Sequence, residues 1–254
     1  MMNTLTLEKE KIHLQEDSYF TRVGNTPLLP LRRVTQGLPP SVGIYAKAEW
    51  FNPAGSIKDR AALNIIQTAL ANGDLTPGKR LLDSTSGNTG IAYATFGAMM
   101  GIPVTLALPV NASRERIAIL RSLGADLILT EASEGPEGSM KVVRKILEDE
   151  PSRYFYANQY GNPANWVAHY QSTGPEIYSQ TGGEVTHFVA VMGTSGTMMG
   201  SGRYLKEQNP RIELVAGQPS KPFHGLEGMK HMASAIQPGI YEADLHDRIV
   251  EVKT

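Results

Sequence analysis

Short apolar segments alternate along this chain with longer segments in which apolar residues recur at helical spacing. The clearest apolar segments are 103–108, 126–130, 187–192 and 213–217. Uniformly apolar strands are typical of sheets that are buried on both faces, and strands that alternate with helices usually pair in parallel. We therefore predict an α/β fold with mostly parallel sheets covered by helices.

Three weaker patterns accompany this alternation. Residues 42–49 alternate in polarity and predict a strand, and residues 248–252 are a further strand candidate. A helix is predicted over 167–178, with an interruption at 173–175, where Gly and Pro disfavour helix. Residues 1–21 are predicted to form a polar N-terminal arm.

Composition excludes several classes of function. The formal net charge of -1 over 254 residues gives no general attraction for nucleic acid or for a membrane surface. The absence of cysteine excludes disulfides and thiolate metal ligands. The six histidines lack a metal-site spacing, so no metal is predicted. No segment resembles a secretory signal or a membrane span, so we expect a cytoplasmic protein.

Lys58 is predicted to lie in the first turn of a helix. Turn-forming residues occupy 52–55, Ser56 is a good N-cap, and the helical pattern continues to Gly73. The positive end of the helix dipole and burial would both lower the pKa of a lysine, which makes its amine a better nucleophile. The alternative is a solvated surface lysine paired with Asp59.

Three loops between strands and helices are rich in Gly, Ser, Thr and Asn. They cover 84–90, 158–165 and 193–197. Ligands of parallel α/β sheets bind beyond the carboxyl ends of the strands, and such loops offer N–H and hydroxyl donors to anions. The third loop suits a phosphate, although no lysine follows as in a P-loop. A tight turn is its alternative interpretation. Its residues are Gly193, Thr194, Ser195, Gly196 and Thr197.

The other two loops offer neutral groups to a ligand. The loop 84–90 suits a carboxylate, with the Asn88 amide as a directional donor, and its alternative is ordinary helix capping. Gln159 is either a bidentate hydrogen-bonding group or a surface glutamine. No serine lies in a Gly-x-Ser-x-Gly turn, so serine hydrolysis is disfavoured.

Taken together, these segments resemble the signature motifs of the cysteine synthase family. The matching motifs are G-N-T-P-L at 24–28, N-P-A-G-S-I-K-D-R at 52–60, T-S-G-N-T-G at 85–90, N-P-A-N at 162–165 and G-T-S-G-T at 193–197. They occur in the family's order over about residues 19–254. The segments 173–176 and 237–241 are closer to the cysteine synthase B branch.

The resemblance implies a two-lobed fold-type II pyridoxal-phosphate enzyme, similar to the tryptophan synthase β fold. A smaller mobile lobe of residues 52–162 would close on a larger lobe of residues 22–51 and 163–254. Family members continue beyond the position of Thr254, with a serine that meets the pyridine nitrogen, and we expect the rest of the large lobe to be omitted here. The family also implies a homodimer.

The resemblance also assigns roles to residues. Lys58 would carry pyridoxal 5'-phosphate, Asn88 would bond its phenolic oxygen, and residues 193–197 would hold its phosphate. Four residues would bind the substrate carboxylate, namely Thr85, Ser86, Thr89 and Gln159.

The implied reaction is β-replacement on an activated L-serine. Sulfide or thiosulfate would add to give L-cysteine or S-sulfocysteine. The arginine expected of enzymes that prefer O-phosphoserine is absent at 220–221, which favours O-acetylserine. The alternatives are O-phosphoserine sulfhydrylase, cystathionine β-synthase-like or serine/threonine dehydratase activity, and a cofactor-poor scaffold protein. Binding of a serine acetyltransferase is left open.

Overall fold

The fold is described from a computed structural model that covers residues 19–85 and 87–253. Most of the predicted N-terminal arm, as well as Ser86 and Thr254, lies outside the described residues. In chain order the elements are β1 (Leu28–Pro30), β2 (Tyr45–Lys47), α1 (Lys58–Asn72), β3 (Arg80–Ser84), α2 (Asn88–Met100), β4 (Val104–Pro109), α3 (Arg114–Ser122), β5 (Asp126–Thr130), α4 (Gly135–Asp149), β6 (Tyr154–Tyr156), α5 (Pro163–Ala168), α6 (Gly174–Gln180), β7 (His187–Val191), α7 (Gly196–Gln208), β8 (Glu213–Pro219) and β9 (Arg248–Val252).

The first large sheet contains four parallel strands in the order β5-β4-β3-β6. One of its faces packs through Leu81 and Leu106 on a core that α1 and α2 supply, with Ile65 and Phe96 at its centre. The opposite face packs through Leu82 on Val143 of α4. Helices therefore cover this sheet on both faces, as the uniformly apolar strands predict.

The second large sheet contains three parallel strands in the order β7-β8-β9. Phe188 and Leu214 face α7, where they pack on Met198 and Leu205. On the opposite face Val189 of β7 is 67% exposed. This sheet has its own apolar core, separate from that of the first sheet.

Two local predictions differ from the structure. The strand expected over 42–49 is limited to Tyr45–Lys47, because its antiparallel partner β1 offers only three residues for pairing. The helix expected over 167–178 is not broken at 173–175. It widens instead into a π turn over His169–Thr173, directly before α6. Pro175 has no N–H to donate, and a π turn is one way in which a helical chain accommodates a lost hydrogen bond.

None of the helices within residues 19–85 and 87–253 combines the length and the hydropathy needed to cross a bilayer.

Candidate active site

Lys58 is the first residue of α1, and its N–H donates to Ser56 Oγ at 3.2 Å. The preceding turn is closed by Asp59, whose carboxylate accepts from the Ala54 N–H at 2.5 Å. Lys58 is half-buried. Burial lowers the pKa of its amine, and the nearby negative charge of Glu49 opposes that shift only partly. The amine therefore loses its proton more readily than that of a solvated lysine.

The loop 193–197 connects β7 to α7 and requires glycine at two positions. A Cβ at Gly193 would lie 2.2 Å from the carbonyl oxygen of Gly228, and a Cβ at Gly196 would lie 2.0 Å from Asn165 Oδ1. Both distances are far below van der Waals contact. The glycines thus permit the close approach of neighbouring segments that shapes this loop.

Ser195 lies at the N-cap of α7 with a left-handed φ of 69°. Its side chain is buried, and Oγ has no hydrogen-bond partner among the described residues. A buried hydroxyl without a partner is costly, and the first N–H groups of a helix also lack intrahelical acceptors. A phosphate at this helix terminus would satisfy both, so the loop fits the phosphate of a cofactor.

Thr89 and Gln159 join the two remaining loops. Thr89 Oγ1 donates to Gln159 Oε1 at 2.8 Å, and Gln159 Nε2 donates to the carbonyl oxygen of Ser84 at 3.1 Å. Thr85 Oγ1 accepts from the Gly87 N–H at 3.2 Å. Asn88 begins α2, beside these contacts, and Ser86 lies outside the described residues.

Asn165 connects these loops to the loop 193–197. Its Nδ2 donates to the carbonyl oxygen of Gln159 at 2.6 Å and to Thr194 Oγ1 at 3.1 Å. A continuous set of hydrogen bonds therefore runs from Thr89 through Gln159 and Asn165 to Thr194. Sequence reasoning quoted Asn165 only as part of a motif and assigned it no role.

His169 was missed by sequence reasoning. It is buried in the π turn, with Nδ1 at 2.9 Å from Thr173 Oγ1 and Nε2 at 3.5 Å from Thr197 Oγ1. Burial lowers its pKa, and the positive charge of Lys58 lowers it further. The contact of His169 Nε2 with Thr197 Oγ1 links the π turn to the loop 193–197. A signal was present, because His169 follows Asn165 by four residues and helical neighbours four apart share a face.

Asp83 was also missed. One carboxylate oxygen accepts from the Ser84 N–H at 2.8 Å and the other from the Gln159 N–H at 3.1 Å. Burial raises its pKa to about 7. The side chain braces the carboxyl ends of β3 and β6, from which two of the three loops begin. An acidic residue within an otherwise apolar strand was the available signal.

The loops after β3, β6 and β7 follow the carboxyl ends of parallel strands and are joined by hydrogen bonds, and Lys58 has a lowered pKa. Loops of this kind are typical of α/β enzymes that bind an anionic ligand. Comparison with known proteins specifies the class. The family model of the pyridoxal-phosphate dependent enzymes matches residues 19–252, and the chain belongs to this family.

Individual relatives narrow this assignment. A cysteine synthase of Aquifex aeolicus is 50% identical over 233 residues, which cover 91% of this chain and 71% of the relative. Cysteine synthase B of Pseudomonas aeruginosa is 44% identical over 230 residues, which cover 91% of this chain and 75% of the relative. A crystal structure of a cysteine synthase from Entamoeba histolytica superposes with a TM-score of 0.89 at 37% identity, covering 99% of this chain and 76% of that one.

These similarities confirm the family, the fold-type II architecture and the cofactor that the sequence motifs predict. The chain is an enzyme of cysteine synthase type, and the cofactor of its family is pyridoxal phosphate.

Proposed function

We propose that this enzyme forms L-cysteine, or S-sulfocysteine, from an activated L-serine with sulfide or thiosulfate as the sulfur donor. O-acetylserine is the proposed activated serine. The observation that supports the proposal is the set of hydrogen bonds that joins the loop 84–90 to the loop 193–197, together with the lowered pKa of Lys58.

Lys58 and the loop 193–197 would hold the cofactor. The unpaired hydroxyl of Ser195 and the N-terminus of α7 fit its phosphate. Asn88 would donate to its phenolic oxygen. When bound, pyridoxal phosphate supplies an electron sink for the negative charge that develops on the substrate Cα.

Lys58 would also move the proton of the substrate Cα. Its amine must be uncharged to accept that proton, and burial favours the uncharged form. The same amine would return a proton later in the cycle. The negative charge of Glu49 stabilises the protonated amine of Lys58, so the amine would hold the proton until it is returned.

The substrate carboxylate would be bound by the loops 85–89 and 158–165. Gln159 has one amide hydrogen left after its bond to Ser84, since a primary amide carries two. The hydroxyl hydrogen of Thr89 is used by Gln159, so Thr89 would contribute its N–H at the start of α2. Thr85 and Ser86 would add the remaining donors.

Binding of that carboxylate would draw residues 52–162 towards the rest of the chain. Most buried residues of the first apolar core lie within 52–162 and those of the second core lie outside this range, which supports such a motion. Closure would exclude water from the reacting substrate and so prevent its hydrolysis.

The test compares O-acetylserine with O-phosphoserine, each with sulfide and with thiosulfate, on cofactor-loaded protein. We expect the largest kcat/KM for O-acetylserine. Release of pyruvate as the main product would favour a dehydratase, and faster reaction with homocysteine would favour a β-synthase. A protein whose visible absorbance is unchanged by every serine derivative would be a scaffold.

The proposed assembly is a homodimer. Large apolar side chains are exposed on the β1–β2 hairpin and the turn after it, including Tyr45, Trp50 and Phe51. A contiguous apolar surface of this kind favours association. Sedimentation should show a dimer that Trp50→Asp weakens, and a monomeric wild-type protein would contradict this assignment.

The cytoplasm stays the proposed compartment, and cell fractionation would test it.

A further inference from the structure

Two sequence motifs have no role in the function proposed above. They are G-N-T-P-L at 24–28 and the T-G-P-E segment at 173–176. In the structure both motifs meet at Arg60, which lies two residues after Lys58 on α1.

The Arg60 guanidinium binds two carboxylates at once. Its Nε and Nη2 donate to the two oxygens of Glu49, each at 2.8 Å. Its Nη1 donates to Glu176 Oε1 at 2.6 Å, and Nη2 donates to Glu176 Oε2 at 2.8 Å. The hydroxyls of Ser172 and Thr26 accept from it at 3.0 and 3.1 Å. The planar guanidinium is suited to such paired contacts, which a lysine cannot reproduce.

Lys47 supplies a second cation. Its Nζ donates to Glu176 Oε2 at 2.6 Å and to the carbonyl oxygen of Thr26 at 2.5 Å. Thr26 Oγ1 donates to Glu49 Oε1 at 2.6 Å, and the Asn25 N–H donates to Glu176 Oε1 at 2.9 Å. We call this set the Arg60 cluster; its charged members are Lys47, Glu49, Arg60 and Glu176.

The Arg60 cluster is buried and electrically balanced. Two cations face two carboxylates, and the exposed side-chain fraction is 2% for Arg60 and 12% for Glu176. Hydrogen bonds from Arg60 and Lys47 lower the pKa of Glu176 to about 2, against the opposing effect of burial. Loss of one member would leave an uncompensated charge in the interior, which is far more costly than loss of an exposed pair.

The same contacts fix the turn that precedes Lys58. Asn52 Nδ2 donates to Glu49 Oε2 at 2.8 Å, and Asn52 Oδ1 accepts from the Gly24 N–H at 2.8 Å. The turn of 52–57 is thus held at Asn52, and α1 is held at Arg60, on either side of Lys58.

We propose that the Arg60 cluster fixes the position of Lys58 by anchoring the start of α1 to the large lobe, which makes Arg60 and Glu176 positioning residues for the reaction. The inference rests on the proposed function, because it assigns the reactive amine to Lys58. The start of α1 would then be the pivot of the segment 52–162, so Lys58 would change its position little while the rest of that segment closes. A small displacement of a reacting group is enough to lower turnover strongly.

The test is Glu176→Gln, which keeps the shape of the side chain and removes its charge. Circular dichroism gives the folded fraction, and visible absorbance gives the cofactor-loaded fraction at saturating cofactor. Per folded and loaded site, kcat should fall about 10- to 100-fold while the KM for O-acetylserine changes less than about 3-fold. A merely structural role would lower the folded fraction and leave kcat per loaded site unchanged.

Glu150→Gln is the matched control, since it removes the same charge from the exposed pair with Arg153 at the end of α4. It should leave kcat unchanged. If Glu176→Gln does not fold, Ser172→Ala replaces it. That variant removes one acceptor of Arg60 and should lower kcat per loaded site about 3-fold.

Unchanged kcat per folded and loaded site, in Glu176→Gln or in its replacement, overturns the positioning role. The proposed function fails separately, if the wild-type enzyme makes no cysteine from any activated serine.

Discussion

The loop of residues 193–197 and the Arg60 cluster both bury polar groups, but they differ in how far hydrogen bonds pair those groups. Ser195 in the loop leaves its hydroxyl without a partner among the described residues. In the cluster, Arg60, Glu49 and Glu176 each have several partners within hydrogen-bond distance. Unpaired buried groups indicate where a ligand binds, whereas complete pairing indicates an anchor. Substitutions in the loop should therefore change ligand affinity, whereas substitutions in the cluster should change the geometry of the site.

The largest effect is expected for Lys58→Ala, which removes the proposed reactive amine. Turnover should fall by about 1,000-fold or more, because both covalent attachment of the cofactor and proton transfer are lost. Visible absorbance of lysine-bound cofactor should disappear as well. Lys79→Ala is the control, since its exposed amine donates to the carbonyl oxygen of Asp74 at 2.8 Å and has no part in the proposed reaction. Turnover of Lys58→Ala close to that of this control would contradict the assignment.

Gly196→Ala should weaken the affinity of the protein for its cofactor. The added Cβ would lie 2.0 Å from Asn165 Oδ1 and would displace the link between the loops. Overpacking of about 1–3 kcal/mol corresponds to a roughly 5- to 160-fold weaker cofactor affinity, measured by absorbance titration. Gly225→Ala is the matched control, because no atom lies within 4 Å of its added Cβ. Equal affinities of the two variants would show that the close approach at Gly196 does not shape the site.

Ser195→Ala should weaken cofactor binding without lowering the stability of the cofactor-free protein. Cofactor affinity should fall about 10-fold, because one hydrogen bond to phosphate is lost. Stability without cofactor should stay the same or rise, because an unpaired buried hydroxyl is removed. Glu176→Gln should lower stability without cofactor, since it unpairs buried charges. Urea unfolding of both cofactor-free variants tests this, and a clear loss of stability in Ser195→Ala would mean that its hydroxyl is already paired.

A separate effect is expected on the pH dependence of stability. Burial raises the pKa of Asp83 from its ordinary value of 3.8 to about 7, so the folded state binds more protons than the unfolded chain between those pH values. The free energy of unfolding should therefore fall as pH rises through this range, by up to about 1.4 kcal/mol per pH unit from this group. Asp83→Asn should flatten that slope in urea titrations. An identical slope in the variant would mean that Asp83 does not carry the proton.

Much of the fold and of the candidate site could be predicted because both depend on local patterns. Parallel strands place their carboxyl ends at one edge, so the loops after β3, β6 and β7 could be expected to bind ligands there. The end of α1 at Gly73, with a φ of 76°, follows from glycine's tolerance of left-handed conformations.

The Arg60 cluster could not be predicted in this way. Arg60 and Glu176 are 116 residues apart, and no periodicity relates two charges that meet only after the chain has folded. The same holds for the burial of His169, which depends on the packing of the π turn against α7. Sequence patterns specify elements, whereas the pairing of buried charges depends on how the elements assemble.

The most direct test of the account is chemical labelling of the cofactor-bound enzyme. Borohydride fixes pyridoxal on the lysine that holds it, and peptide mass spectrometry then locates the label. We expect the label on Lys58 alone, with none in Lys58→Ala. A label on another lysine, or an unlabelled protein that still forms cysteine, would contradict the central claim that Lys58 is the reactive amine.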